Sequence, residues 1–272
     1  MAAVITLTTD FGARDPYVAE MKAVILGLNP AVRFIDVSHE IAAHDVIEGA
    51  LAVHAMLAVC AEGTIHVAVV DPGVGTRRRG LVVEASGQFF VGPDNGIFTP
   101  ILARSGWRAF ELRSTAFRRP SVSATFHGRD VFAPAAAHLT LGIAAARFGP
   151  PVTDLVRLAA IAAREVGGGV EGRVIHVDRF GNLVTSIDAK TVERFSRGAG
   201  ALTVQVAGCQ MPVVRTYGEL PTGGAGALAG SHGRLEVAVR EGSAAARLRA
   251  RRGAPVRLSR SSTSRASRRT GS

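Results

Sequence analysis

The stretch TIHVAVVDPGVG, residues 64–75, decides the fold of the first half of the chain. Its first seven residues are nearly all apolar and do not alternate with polar ones, which is typical of a strand buried on both faces of a parallel sheet. The strand ends at Asp71, and Pro72-Gly73 begin a turn. Because open parallel sheets bind ligands beyond the carboxyl ends of their strands, Asp71 is a candidate site residue.

Outward from this stretch, segments of strand and helix type alternate. Together they predict an α/β domain over residues 1–163, built on a mostly parallel sheet with helices on both faces. The segments are a strand VITLTT (4–9), a helix from Tyr17 to Leu28, a strand VRFIDV (32–37), a helix from Val46 to Val59, a hairpin LVVEA–QFFVG (81–92) and a helix from Asp130 to Leu141, with Asp130 as its N-cap.

The second half of the chain changes character at REVGGGVEG, residues 164–172, which is interpreted as a glycine-rich linker. Short apolar runs separated by Gly and Pro turns follow, and they predict a smaller all-β, barrel-like domain over residues 173–258. Residues 259–272 are rich in Ser and Arg and nearly lack apolar side chains, so this tail is predicted to be disordered.

The net charge of +10 comes almost entirely from the C-terminal end, because residues 247–272 hold nine arginines and no acid follows Glu241. The charge therefore does not indicate a specific nucleic-acid site. No apolar run is long enough to span a bilayer, the N-terminus has no basic leader, and the two cysteines lie far apart. A cytoplasmic protein without a membrane partner is expected.

Several polar residues follow predicted strands. Asp10 and Asp71 end two of them and are expected on one rim of the sheet, where a functional role and simple turn chemistry are about equally favoured. For Asp94 and Asn95, in GPDNG, turn chemistry is the favoured interpretation. A lone histidine usually has a structural role, so His127 is a candidate site residue only if the fold brings it close to Asp71.

Familiar metal and phosphate motifs are missing from the sequence. The histidines of HEIAAH, residues 39–44, are five apart and do not fit the zinc-protease helix, and the chain has no phosphate loop and no Cys-x-x-Cys pair. The sequence therefore predicts neither a metal site nor a cofactor.

Seven stretches occur in one order: TTDFG, DVSHEI, VVDPGVGTRRR, GPDNG, FHGRDVFAPAAA, DRFGN and GSHGRLEVAV. In this order and spacing the chain resembles the S-adenosyl-L-methionine (SAM) hydroxide adenosyltransferases, the SAM hydrolases related to the fluorinating and chlorinating enzymes. The resemblance covers residues 4–258. It implies attack of water or hydroxide on the ribose C5′ of SAM, giving adenosine and L-methionine, with SAM as substrate and no cofactor.

The resemblance also implies a trio that handles the water: Asp71, Arg78 and His127. The halogenating relatives have Tyr where this chain has Asp71 and Ser where it has Gly128. The resemblance further implies a homotrimer whose sites lie at subunit interfaces. It also assigns substrate-binding roles to a second set of residues. These are Asp10 for the ribose hydroxyls, His44 beside the ribose, Asp15, Tyr17, Asp178 and Ser231 for the methionine portion, and Phe180, Asn182 and Tyr217 for adenine.

Three other functions stay open at this point. A SAM-dependent halogenase is disfavoured by Asp71 and Gly128. A non-catalytic SAM or adenosine sensor would bind without turnover. A metal-dependent phosphohydrolase is a third possibility, because acidic strand ends also hold Mg²⁺.

Overall fold

The computed structural model describes residues 2–197 and 200–261 of the chain, which divides into two units between Leu158 and Ala159. No helix in these described ranges is long and apolar enough to cross a membrane.

From residue 2 onward, the first unit contains six strands and three α-helices. All the strands and helices predicted there are present, although the last helix begins later than expected. The sixth strand was not predicted. In chain order the elements are β1 (Val4–Thr9), α1 (Tyr17–Leu28), β2 (Arg33–Ser38), α2 (Val46–Leu57), β3 (Ile65–Val69), β4 (Gly80–Ala85), β5 (Gln88–Pro93), β6 (Arg108–Glu111) and α3 (Ala133–Thr140).

The sheet of this unit has the strand order β2-β1-β3-β5-β4-β6. Strands β2, β1, β3 and β5 run parallel, whereas β4 is antiparallel to both β5 and β6. The predicted mostly parallel sheet with an added hairpin is therefore confirmed.

The first three strands create a switch point in this sheet. The chain steps from β1 outward to β2 and then back past β1 to β3, so right-handed connections place α1 and α2 on opposite faces. One core accordingly joins Met21 and Ile25 of α1 to Val67, and another joins Val53 of α2 to Ala68. The crevice beyond the carboxyl ends of β1 and β3 is where such sheets bind ligands.

The second unit is an antiparallel, nearly closed sheet with the order β11-β10-β14-β8-β9-β13-β12, in which β7 also pairs with β8. A bridge between Val213 and Ala227 links its two ends. This confirms the barrel-like prediction, but two helices and the first and last strands were missed. The elements are β7 (Arg164–Val166), β8 (Gly169–Val177), β9 (Leu183–Asp188), α4 (Ala189–Ser196), β10 (Leu202–Val206), β11 (Cys209–Pro212), β12 (Ala225–Ala229), β13 (Arg234–Val239), α5 (Ala244–Leu248) and β14 (Pro255–Arg260).

The segment 164–172, interpreted from sequence as a linker, is a β-hairpin instead. Val166 pairs with Gly169, and the two-residue loop between them has φ of 53° at Gly167 and 73° at Gly168. Positive φ at both loop positions is the geometry of a tight hairpin turn, which glycine adopts without strain. The glycines therefore turn the chain within the second unit.

The C-terminal boundary also differs from the expected one. Ser259 and Arg260, assigned from sequence to a disordered tail, pair with Thr203 and Leu202 of β10. Ser261 N also donates to the Ala201 carbonyl at 2.7 Å, and the remaining residues of the predicted tail, 262–272, lie outside the described residues.

Candidate active site

Asp10 and Asp71 lie at the switch point of the first unit. Strands β1 and β3 are paired neighbours up to Thr9 and Val69, so the two aspartates follow adjacent parallel strand ends, as expected from the sequence. Both are largely shielded from solvent, with side-chain exposures of 8% for Asp10 and 4% for Asp71.

A tight turn after Asp71 brings the chain back toward this carboxylate. Val74 N donates to the Asp71 carbonyl and Thr76 N to the Gly73 carbonyl, at 3.2 Å each. Gly75 has a φ of 76°, and a Cβ on it would lie 2.4 Å from the carbonyl oxygen of Ala124. Only glycine fits this turn, because both the conformation and the space exclude a side chain.

The three arginines after the turn have three different surroundings. Arg78 Nε donates to both Asp71 oxygens, at 2.9 and 3.0 Å, and its Nη2 also donates to Asp71 Oδ2. Arg79 instead contacts Asp94 and Asp154, and Arg77 is exposed. Arg78 is therefore the partner of Asp71, as the resemblance implied.

His127 completes this cluster. Arg78 Nη2 lies 2.9 Å from His127 Nδ1. A guanidinium group only donates hydrogen bonds, so Nδ1 must accept, and the proton of the neutral ring is on Nε2. The guanidinium also stacks over Phe132, 5.2 Å from the ring centroid. Three side chains that are distant in sequence thus form one connected group.

The electrostatic surroundings keep His127 neutral. Burial, and after it the charge of Arg78, lower the pKa of His127, while the charges of Asp71 and Asp130 act in the opposite direction. A neutral imidazole whose Nδ1 is occupied can present only its Nε2–H to a small molecule.

Asp130 anchors the loop that carries His127, and its predicted role as an N-cap was wrong. It lies inside one π-helical turn, Gly128–Phe132, with a fully buried side chain. Its carboxylate accepts from Arg129 Nε at 2.8 Å, Arg119 Nη1 at 3.1 Å and Ser123 N at 2.8 Å. Burial by itself would raise the pKa of Asp130, but these donors hold it below its ordinary value.

Asp94 and Asn95 make hydrogen bonds to other parts of the first unit. Asp94 accepts from Arg79 Nε and from Val156 N, both at 2.9 Å. Asn95 donates to the Val70 carbonyl at 2.8 Å, which fixes the residue immediately before Asp71. Asn95 Oδ1 also accepts from Ile97 N at 3.2 Å, a hydrogen bond within the turn. These contacts agree with structural turn chemistry at GPDNG, which stays a prediction.

Of the substrate-binding residues predicted around Asp10, some contact the site and others are exposed to solvent. His44 N donates to Asp10 Oδ2 at 2.9 Å, while the His44 ring is 73% exposed. The Tyr17 ring packs edge-on against Phe126, 5.3 Å between centroids, and so lies next to the His127 loop. Asp15 is exposed.

In the second unit, Asp178 closes the DRFGN turn. Its Oδ1 accepts from Phe180 N at 2.9 Å and Asn182 N at 2.8 Å, and its Oδ2 accepts from Asn182 Nδ2 at 2.9 Å. The Phe180 ring on this turn is 77% exposed, an unusual position for so large an apolar group. Ser231 is exposed between β12 and β13.

Glu236 is a buried carboxyl near this turn that the sequence analysis missed. The Tyr217 hydroxyl donates to Glu236 Oε2 at 3.1 Å. Burial, and then the charge of Asp178, raise the pKa of Glu236, although the Tyr217 hydrogen bond opposes the shift. The available signal was an acidic residue inside the otherwise apolar run LEVAV, residues 235–239.

Comparison with known families decides the relationship. Residues 5–149 match the SAM hydroxide adenosyltransferase N-terminal domain, and residues 172–257 match the C-terminal domain of the same family. The chain belongs to this family.

Among similar members is an (R)-S-adenosyl-L-methionine hydrolase of Thermus thermophilus, 44% identical over 92% of this chain and 97% of the relative. An (R)-S-adenosyl-L-methionine hydrolase from Salinispora tropica is 40% identical over 89% of this chain and 92% of the relative. A fluorinase of Actinoplanes sp. is more distant, at 28% identity over 72% and 75%.

Solved structures support the fold of this family member. An uncharacterized conserved protein from Thermotoga maritima superposes with a TM-score of 0.85 at 32% identity, covering 94% of this chain and all of the other. A conserved hypothetical protein from Thermus thermophilus gives 0.75 at 41% identity over 94% and 99%.

The described residues contain no group of three or more His, Cys, Asp or Glu side chains placed to hold a metal ion. The absence of a cofactor stays a prediction.

Replacement of Gly75 tests the turn behind Asp71. Gly75→Ala should lower turnover by about ten-fold or more. The added methyl group would clash with the Ala124 carbonyl, so either the turn or the backbone at Ala124 must shift, and this shift moves Arg78. Gly208→Ala is the matched control: Gly208 also has a φ of 76°, but nothing lies within 4 Å of its added Cβ. Equal steady-state rates for the two variants would contradict this account.

The neutral state of His127 predicts a one-sided pH profile. Its pKa lies below the ordinary value of about 6.5, so activity should be constant above that pH and fall as the pH drops through the lowered pKa. Below it, a proton on Nδ1 would face the Arg78 guanidinium. The profile of kcat/KM measures this, and a decline that begins above about pH 7 would contradict it.

Proposed function

We propose that this chain hydrolyses SAM to adenosine and L-methionine, with the attacking water held by Asp71, Arg78 and His127. The observation that carries the proposal is the convergence of these three side chains at the end of β3, the strand that pairs with the one ending at Asp10. Membership of the family and the 44% identity to a curated hydrolase supply the substrate.

The reaction is a displacement at the ribose C5′. The water oxygen forms a bond to C5′, the C5′–S bond breaks, and its electron pair stays on sulfur. Methionine leaves as a neutral thioether, so the leaving group needs no proton. The water loses one proton, and the chemical demand on the protein is to orient this water and accept that proton.

The hydrogen-bond geometry favours Asp71 as the proton acceptor. His127 Nδ1 already accepts from Arg78, and the Nε2 of the neutral ring carries a proton, so the ring positions the water by donating to its oxygen. The Asp71 carboxylate keeps lone pairs beyond those used by Arg78. General-base assistance of this kind contributes about 10²–10⁴-fold.

The substrate contacts remain proposals that rest on the resemblance. Asp10 holds the ribose hydroxyls with His44 alongside, and Asp15 and Tyr17 contact the methionine portion. The remaining contacts come from the second unit of a neighbouring subunit in a homotrimer; the exposure of the Phe180 and Tyr217 rings supports this arrangement. They are Asp178 and Ser231 for methionine, and Phe180, Asn182 and Tyr217 for adenine. The cytoplasmic location also stays a prediction.

Asp71→Asn should lower kcat by about 10²–10⁴-fold, because the amide cannot take the proton. SAM binding, measured by calorimetry, should change little, since the amide oxygen still accepts from Arg78. Asp154→Asn removes a carboxylate from an exposed arginine pair and should keep wild-type turnover. Undiminished turnover in Asp71→Asn would refute the assignment.

Incubation with SAM in ¹⁸O water identifies the nucleophile. Label should enter the 5′-hydroxyl of adenosine, and added chelator should leave the rate unchanged. Because the curated relatives are named for the R form, resolved R and S sulfonium epimers should be assayed separately. A halogenated nucleoside in the presence of halide would instead indicate a halogenase, and binding without product a sensor.

A further inference from the structure

We infer that His39 is a positioning residue for the Asp10 turn, acting through the Thr9 side chain and through its own backbone carbonyl. His39 lies in the DVSHEI stretch, and the reaction described above gives it no role. The inference rests on the proposed ribose contact of Asp10.

His39 contacts the Asp10 turn on both sides. Its Nδ1 lies 2.9 Å from Thr9 Oγ1, immediately before Asp10, and its carbonyl oxygen accepts from Gly12 N at 2.7 Å, two residues after it. Thr9 is fully buried, and the His39 side chain is only 12% exposed. His39 therefore holds the turn that presents the Asp10 carboxylate through two hydrogen bonds, one on each side of Asp10.

The direction of each hydrogen bond follows from the donors available. Phe11 N donates to Thr9 Oγ1 at 3.3 Å, so the hydroxyl proton is free to be donated to His39 Nδ1. The ring of this tautomer carries its proton on Nε2, which lies 3.1 Å from Asp36 Oδ1.

Asp36 anchors the far end of the series. Lys22 Nζ donates to Asp36 Oδ2 at 2.6 Å. Burial alone would raise the pKa of Asp36, but its contacts with Lys22 and His39 hold it below its ordinary value, so it is ionised. The Asp36 carboxylate lies 3.1 Å from His39 Nε2 without forming a hydrogen bond to it, so its charge favours the tautomer with the proton on Nε2 electrostatically.

Precision at this turn matters because a carboxylate that binds two ribose hydroxyls must place both oxygens correctly. His44 N already fixes Asp10 Oδ2 at 2.9 Å, and His39 fixes the backbone on either side of it. Such contacts serve the bound substrate and the transition state alike, so their loss should raise KM and leave kcat nearly unchanged.

Strand β1 offers a matched control for this arrangement. Three residues before Thr9, Thr6 Oγ1 lies 2.8 Å from His66 Nδ1, and His66 Nε2 lies 2.8 Å from Gln88 Oε1. This is also a threonine–histidine pair, and both residues are buried. It stands inside the sheet, away from the carboxyl end of β1.

The test compares Thr9→Val with Thr6→Val, each of which deletes one hydroxyl with little change of shape. Thr9→Val should raise KM for SAM roughly ten-fold with kcat within about two-fold. Thr6→Val should keep both constants, whatever stability it loses in thermal unfolding. Equal KM for the two variants, or a fall in kcat alone for Thr9→Val, would overturn the inference.

Two further comparisons show whether His39 acts through the turn. His39→Asn keeps an acceptor near the Nδ1 position and should retain much of the wild-type KM, whereas His39→Leu should match Thr9→Val. In an Asp10→Asn background, Thr9→Val should raise KM no further. If Thr9→Val raises KM further in the Asp10→Asn background, His39 does not act through Asp10, while the proposed ribose contact of Asp10 still stands. If Asp10→Asn alone keeps the wild-type KM, both the ribose contact and the role of His39 are refuted.

Discussion

The paired carboxylate and guanidinium of Asp71 and Arg78 are the interaction on which the site depends. A buried charge is costly unless it is paired and hydrogen-bonded, and each of these side chains satisfies that condition for the other. The pair also needs a turn between its members that only glycine at position 75 can make. The site is therefore specified by backbone geometry as much as by the reactive groups.

The topology of the sheet explains why this pair lies beside Asp10. The parallel neighbours β1 and β3 end together. The helices that connect them, α1 and α2, pack on opposite faces of the sheet, so neither helix covers the crevice between the two strand ends. Two acidic residues then lie at adjacent strand ends with separate partners: Asp71 is paired with Arg78, and Asp10 accepts a hydrogen bond from the backbone of His44.

Sequence patterns predicted the features that depend on local chemistry. The apolar run 64–70 predicted a doubly covered strand, and the strand ends placed Asp10 and Asp71 on one rim. The patterns could not find contacts made between distant segments: the burial of Asp130 under Arg119 and Arg129, or of Glu236 beneath Tyr217. They also misjudged Gly167-Gly168, because a flexible linker and a tight hairpin turn use the same residue. Strand β14 was not recognised, and its last two residues, Ser259 and Arg260, were assigned to the Ser/Arg-rich tail, whereas its alternate residues Val256 and Leu258 are buried.

The reaction itself explains why so few protein groups suffice. Because the sulfonium leaves as a neutral thioether, all of the catalytic demand falls on one water molecule, and an acid for the leaving group would have no purpose. A single carboxylate can meet this demand if it is correctly placed, and Arg78 fixes the position of Asp71 through hydrogen bonds from Nε and Nη2. His127 serves the same end only while neutral, since a second proton would meet Arg78 at Nδ1. The guanidinium thus contacts both of its neighbours: it orients the Asp71 carboxylate as the acceptor and, after burial, helps to keep the His127 ring uncharged as a donor.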